Sequence, residues 1–178
     1  MPSDNKEKCY QIVHSYQRRF PAVPSLSWSD WDSLNNPKIL VDARTRAEQQ
    51  VSMIPGAVPL QDLKLDGNVQ IVGVYCTIGY RSGLEATRLQ DVHPQLQVYN
   101  LDGIVAYTHH RQADLASVHV FAGPWDLAAC AHTKRFGMPA VLGRLAQVGV
   151  RVVVRKLQRV VVLVRACCRR ENAVSKQD

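Results

Sequence analysis

Four residues separate Cys76 from Arg81 in the run Val74-Tyr75-Cys76-Thr77-Ile78-Gly79-Tyr80-Arg81-Ser82-Gly83. A cysteine is a nucleophile in its thiolate form, and a nearby positive field favours that form. The apolar stretch Val69 to Tyr75 runs directly into Cys76, and helix-forming residues follow Arg81. This order predicts a thiol at the carboxyl end of a buried strand, joined by a six-residue loop to a helix N-terminus. Ligands of open α/β sheets bind at such strand ends. A helix N-terminus adds unpaired N–H groups and a partial positive charge, so the thiol is expected to be presented to solvent there, depressed in pKa and reactive. Gly79 permits the backbone angle a tight cradle needs. Arg81 offers a permanent planar cation to an anion held there.

The elements that must position this loop can be read on either side of it. Tyr10 to Phe20 suits a short helix, stopped by Pro21 and Pro24. Ser27 ahead of Trp28, Asp30, Trp31 and Asp32 reads as a helix start, with Trp31 and Leu34 on one face. Ile39-Leu40-Val41 reads as a strand buried on both faces, ending at Asp42. Arg44 to Val51 carries helix formers, and Ile54-Pro55-Gly56-Ala57 forces a turn. Ser82 to Asp91 reads as a helix that packs through Leu84, Ala86, Thr87 and Leu89. Val98 to Leu101 is a third strand, and Val118-His119-Val120-Phe121 a fourth. Strands alternating with short helices predict an α/β domain with a mainly parallel sheet flanked by helices.

Those pieces, in that order, resemble the rhodanese (sulfurtransferase) homology domain. Val41-Asp42-Ala43-Arg44, Glu48 and Ile54-Pro55-Gly56-Ala57 are similar to its first signature. Tyr75 to Ser82 is similar to its active-site loop, and Tyr99 to Tyr107 to its closing segment. The resemblance covers about residues 25–108. Residues 118–125, with Trp125, look like an extension strand of some members. It implies a three-layer rhodanese-like fold. It also implies that Cys76 accepts a sulfane sulfur as a persulfide and passes it to a thiophilic acceptor. The backbone N–H groups of Thr77, Ile78, Gly79, Tyr80 and Ser82 would cradle the charge, and Arg81 would close the cradle. The donor would be a small-molecule or protein persulfide. The related cysteine phosphatases and arsenate reductases have one more residue between Cys and Arg, which suits a tetrahedral oxyanion. The four residues here favour sulfur transfer.

Thr77, Ile78, Gly79 and Tyr80 carry no charge, so thiosulfate, a dianion, is expected to be a poor donor. Asp42 and Arg44 are expected to support the site rather than react, Asp42 by binding nearby loop backbone. Glu48 reads as a helix-surface charge, and His109 and His110 as solvated loop residues. The alternative to an enzyme is a non-catalytic rhodanese-like scaffold that uses its basic tail to hold a partner.

That tail follows from the charge. Of the chain's 178 residues, 1–126 hold 11 Lys/Arg against 13 Asp/Glu, while 127–178 hold 11 against 2. The shift predicts three parts: a lead-in over 1–24, the α/β domain over 25–126, and a basic extension over 127–178 that is helical or poorly ordered. Arg144, Arg151, Arg155 and Arg159 would share one helix face. Residues 144–170 therefore suit an acidic partner or an anionic membrane surface, with nucleic acid the least expected partner. Cys167 and Cys168 beside them are candidates for acylation. The longest apolar run there, Val160 to Val164, is far short of the roughly 20 residues a spanning helix needs. The five cysteines are odd in number and lack zinc spacing, and Met1 to Lys8 is polar. These features favour a cytoplasmic, reducing compartment with free thiols, and no metal or cofactor.

Overall fold

The three apolar runs become neighbouring strands of a single sheet in the computed structural model, which describes residues 2–150 except 66, 112, 113, 138, 145, 147 and 148. The chain forms two units, Met1–Arg135 and Phe136–Asp178. The first begins with α1 (Pro2–Gln17), β1 (Ser25–Leu26), α2 (Trp28–Ser33), β2 (Lys38–Asp42), α3 (Arg46–Gln49) and β3 (Ala57–Pro59). It continues with β4 (Ile71–Tyr75), α4 (Tyr80–Val92), β5 (Gln97–Leu101), α5 (Ile104–His110), β6 (Ser117–His119) and β7 (His132–Lys134).

The main sheet has the order β1-β5-β4-β2-β3 and is parallel throughout. Strand β4 is central, and all five of its residues are buried. Because side chains alternate along a strand, the sheet feeds two separate cores. Val41, Val72, Val74 and Val98 face α4, against Ala86 and Leu89. Leu40, Ile71, Tyr75 and Leu101 face the other way. They pack with Cys9 and Val13 of α1, Trp28 and Trp31 of α2, and Ile104 to Tyr107 of α5. Each aliphatic side chain so buried contributes about 1.5–3 kcal/mol. The result is the three-layer α/β arrangement expected from the sequence. Gly73, inside β4, leaves the space that Trp31 fills: a Cβ there would lie 2.5 Å from its ring.

Several elements depart from the sequence expectation. The first helix begins at Pro2 rather than near Tyr10, and Phe20 lies beyond its end. Cys9 and Val13, four residues apart on one face, anchor it in the core. The helix formers of residues 44–51 yield only the single turn of α3. The Ile54–Ala57 turn leads into an unanticipated edge strand, β3, where Pro59 is tolerated because an edge leaves its missing N–H unneeded. Residues 118–121 do not extend the main sheet. β6 instead pairs in parallel with β7 in a separate two-stranded sheet. Val118 and Val120 are buried in the core that contains α1, α2 and α5, which draws the strand over that layer.

In the second unit, Val141 is buried and the Arg144 guanidinium lies 3.9 Å from the Phe136 ring centroid. Among the described residues no helix is long and apolar enough to cross a membrane. Residues 151–178, with Arg151 to Arg170 and Cys167-Cys168, lie outside the described residues.

Candidate functional site around Cys76

Strand β4 ends at Tyr75, so Cys76 is the first residue beyond the carboxyl edge of the central strand. The chain leaves β2 toward β3, then returns to β4 on the other side of β2. Such a reversal opens a crevice above the strand ends. The loop is fixed from both sides. Ala43 N–H donates to the Tyr75 carbonyl at 2.9 Å. The first amides of α5 donate to the loop itself, Ile104 to the Cys76 carbonyl at 2.8 Å and Val105 to that of Thr77 at 3.2 Å. Gly103 makes this approach feasible. Its φ is +88°, and a Cβ would stand 2.6 Å from the Thr77 carbonyl oxygen.

Gly79 caps α4 with φ +97°, a conformation in which a side chain would be strained. It turns the loop back so that the Gly79 N–H points at Cys76 Sγ, at 3.2 Å. Ser82 Oγ lies 3.4 Å from the same sulfur and 2.7 Å from Asn100 Oδ1. Asn100 is oriented by its Nδ2, which donates to the Gly79 carbonyl at 3.0 Å. Its oxygen therefore faces Ser82. A serine hydroxyl has one hydrogen and two acceptor sites. While that hydrogen serves Asn100, Ser82 Oγ can accept a thiol S–H. When the sulfur is ionised, the hydrogen can turn to it.

Arg81 does not stand open over this cradle. Its Nη1 donates to Glu48 Oε2 at 2.8 Å, and its Nη2 to Glu48 Oε1 and Thr77 Oγ1, each at 2.7 Å. The Phe121 ring covers the guanidinium, with the centroid 4.9 Å away. Phe121 takes a positive φ of 67° to reach that position, and its N–H donates to His119 Nδ1.

Glu48 is correspondingly not the surface charge its sequence context implied; it is fully buried. Thr77 Oγ1 donates to it at 3.1 Å, as do the Thr45 N–H at 3.0 Å and hydroxyl at 2.7 Å. Burial by itself would raise its pKa. The hydrogen bonds and charge of Arg81, with the donors of Thr45, overcome this and pull it down to about 2. The same pairing raises the Arg81 pKa against the opposing effect of burial. The sequence did carry one signal for Glu48. Thr45-Arg46-Ala47-Glu48 has the spacing of a capping box.

Asp42 and Arg44 form a second buried pair, Nη2 to Oδ2 at 2.7 Å. Asp42 Oδ1 accepts the Arg44 backbone N–H at 2.9 Å. The Tyr75 hydroxyl donates to Asp42 Oδ2 at 2.7 Å and accepts the Ile54 N–H at 3.2 Å. Arg44 Nη2 also donates to the Ser52 carbonyl at 2.6 Å. This network ties the ends of β2 and β4 to the turn at Ile54.

The sequence reading expected Cys76 to be presented to solvent. The structure instead buries it, at 1% relative exposure, together with Thr77 and Ile78. Helix α1 packs beside the same loop. Val13 and Gln17 pack near Gly79, and the Tyr16 and Phe20 rings each lie 5.5 Å from that of Tyr80. Gln17 Nε2 also donates to Asp102 Oδ1 at 2.9 Å. His109 and His110 are not loop residues but the last turn of α5. His109 Nε2 contacts the Leu127 carbonyl, and His110 Nε2 lies 2.9 Å from Asp32.

The chain is similar to a solved rhodanese-like domain. That protein, from Staphylococcus aureus, is 22% identical, with a TM-score of 0.37, over 46% of this chain and 86% of its own. The reduced Bacillus anthracis protein CoADR-RHD is 21% identical, with a TM-score of 0.42; the match spans 52% of this chain but only 18% of that one. A Rhodopseudomonas palustris protein of unknown function, described as a possible tyrosine phosphatase, is 20% identical, with a TM-score of 0.40, over 57% of this chain and 87% of its own. No protein-family model and no curated protein matches the chain. Each of these likenesses covers only about half of the chain.

Proposed function

We propose that this rhodanese-like chain is a sulfurtransferase working through a persulfide on Cys76. The observation that carries this reading is the Gly79 N–H aimed at Cys76 Sγ across a loop with only four residues before Arg81. An amide so placed stabilises negative charge on the attacking sulfur and on the persulfide that replaces it. Ser82 follows the change of charge with its single hydrogen, held in readiness by Asn100.

The Cys76 thiolate attacks the outer sulfur of a persulfide donor, R–S–SH. The new S–S bond forms as the donor S–S bond breaks, and R–S⁻ departs with the electron pair. Cys76 is left as –S–SH. A nucleophilic acceptor then attacks the terminal sulfur, which leaves as part of acceptor–SH and returns the Cys76 thiolate. Each step is a displacement at sulfur, so no external oxidant or reductant is consumed.

Burial of Cys76 requires a donor to enter a site that opens transiently, and the α1 contacts with Tyr80 and Asp102 lie beside the loop that would open. A second reading, a non-catalytic scaffold with a basic tail, draws on the same burial. Mass spectrometry of the whole chain after exposure to glutathione persulfide separates the two. A single added sulfur on Cys76, absent in Cys76→Ser, supports transfer. A folded protein that takes up no sulfur from persulfide or thiosulfate supports the scaffold.

A further inference from the structure

We infer that Glu48 sets the donor class of this site by consuming the charge of Arg81, so that sulfane sulfur enters on persulfides and not on oxyanions. The inference rests on the sulfurtransferase reading and extends it to a named positioning residue. Both terminal nitrogens of Arg81 donate to the Glu48 carboxylate, one of them also to Thr77, and Phe121 covers the guanidinium. Thr45 and Thr77 hold Glu48 in place from its own side. The buried pair has no net charge, and neither does the nearby Asp42–Arg44 pair. Thr77, Ile78, Gly79 and Tyr80 are uncharged.

The cradle therefore meets an incoming donor with the Gly79 amide dipole and the charge of the sulfur itself. Thiosulfate brings two negative charges to that thiolate, and no uncommitted cation of the loop offsets them. A persulfide brings its sulfane sulfur without an oxyanion group. In the thiosulfate reaction Cys76–S⁻ would take the outer sulfur and sulfite would leave as a dianion, again without a cation to receive it. Neutralising Glu48 while keeping its shape should release Arg81 toward the cradle.

The test compares the wild-type chain with Glu48→Gln in two measurements. Peptide-level mass spectrometry follows sulfur loading of Cys76 from thiosulfate and from glutathione persulfide. Iodoacetamide labelling of Cys76, with and without sodium sulfate at constant ionic strength, reports oxyanion binding without any sulfur transfer. In Glu48→Gln the ratio of thiosulfate to persulfide loading should rise about tenfold or more, equivalent to about 1.4 kcal/mol, chiefly through a lower KM for thiosulfate. Sulfate should slow labelling of the variant and leave the wild type unchanged. A folded Glu48→Gln protein with the wild-type ratio and no sulfate protection overturns the inference. Sulfate protection of the wild type overturns it as well, and that result needs no variant to fold. If no donor loads Cys76 but sulfate protects only Glu48→Gln, sulfur transfer fails as the function while the role of Glu48 in excluding oxyanions stands.

Discussion

Arg81 and Glu48, thirty-three positions apart, meet as a two-point ion pair with hydrogen bonds of 2.8 and 2.7 Å. The cation at the end of the loop is thus a fastener before it is a receptor. It binds the start of α4 to the single turn of α3, and Thr77 sits between them as both acceptor and donor.

The acid stability of the chain should depend on this pair. The Glu48 carboxyl is lowered from its ordinary 4.5 to about 2 in the fold. A carboxyl lowered on folding stabilises fully above its unfolded value, and that stability disappears as pH falls through the folded one. A loss on the order of 3 kcal/mol is expected between about pH 4.5 and pH 2. Urea unfolding at a series of pH values should show this slope in the wild type and a much shallower one in Glu48→Gln. Equal slopes would mean that Glu48 is not held ionised by Arg81.

Removing one member of the Asp42–Arg44 pair should destabilise more than removing both. Arg44→Met or Asp42→Asn alone strands a buried polar group, at a cost of about 3–5 kcal/mol. The double variant should recover a substantial part of that loss. Denaturant melts of the four proteins form the cycle, and strict additivity would show the two side chains to be energetically independent.

Gly103 and Gly73 should respond differently to alanine. At Gly103 the new Cβ meets the backbone of Thr77 and Ile78 and sits at positive φ, strain of about 1–3 kcal/mol before any clash is counted. Gly103→Ala should therefore lower Tm and also suppress sulfur loading of Cys76 at temperatures where the protein is folded. Gly73→Ala presses on the Trp31 and Leu101 side chains, an overpacking cost of about 1–3 kcal/mol. It should lower Tm but leave loading per folded molecule intact. Loss of loading in Gly73→Ala alone would reverse this assignment.

Access to Cys76 should be governed by α1. Gln17→Ala deletes the hydrogen bond to Asp102 that ties the end of the helix to the turn before α5. The loss, about 1 kcal/mol, should speed iodoacetamide labelling of Cys76 several-fold. Labelling that is unchanged in Gln17→Ala and in Tyr16→Ala would place the opening elsewhere.

The strand–loop–helix that carries Cys76 was legible from the residues because its signals are local. An apolar run of strand length, a glycine able to take positive φ and a following helical stretch are all adjacent in the chain. The partners of the loop were not legible in this way. Glu48 looked like a surface charge because helix periodicity does not reveal what lies opposite a side chain. Asn100, Gly103, Phe121 and Gln17 come from four other segments, brought beside the loop by parallel strand register and by the packing of α1 and α5. Local pattern determined that a cysteine would end a buried strand. Only the tertiary structure decided that its arginine is already paired and its sulfur covered, because burial and charge neutralisation arise from groups that meet after the chain has folded.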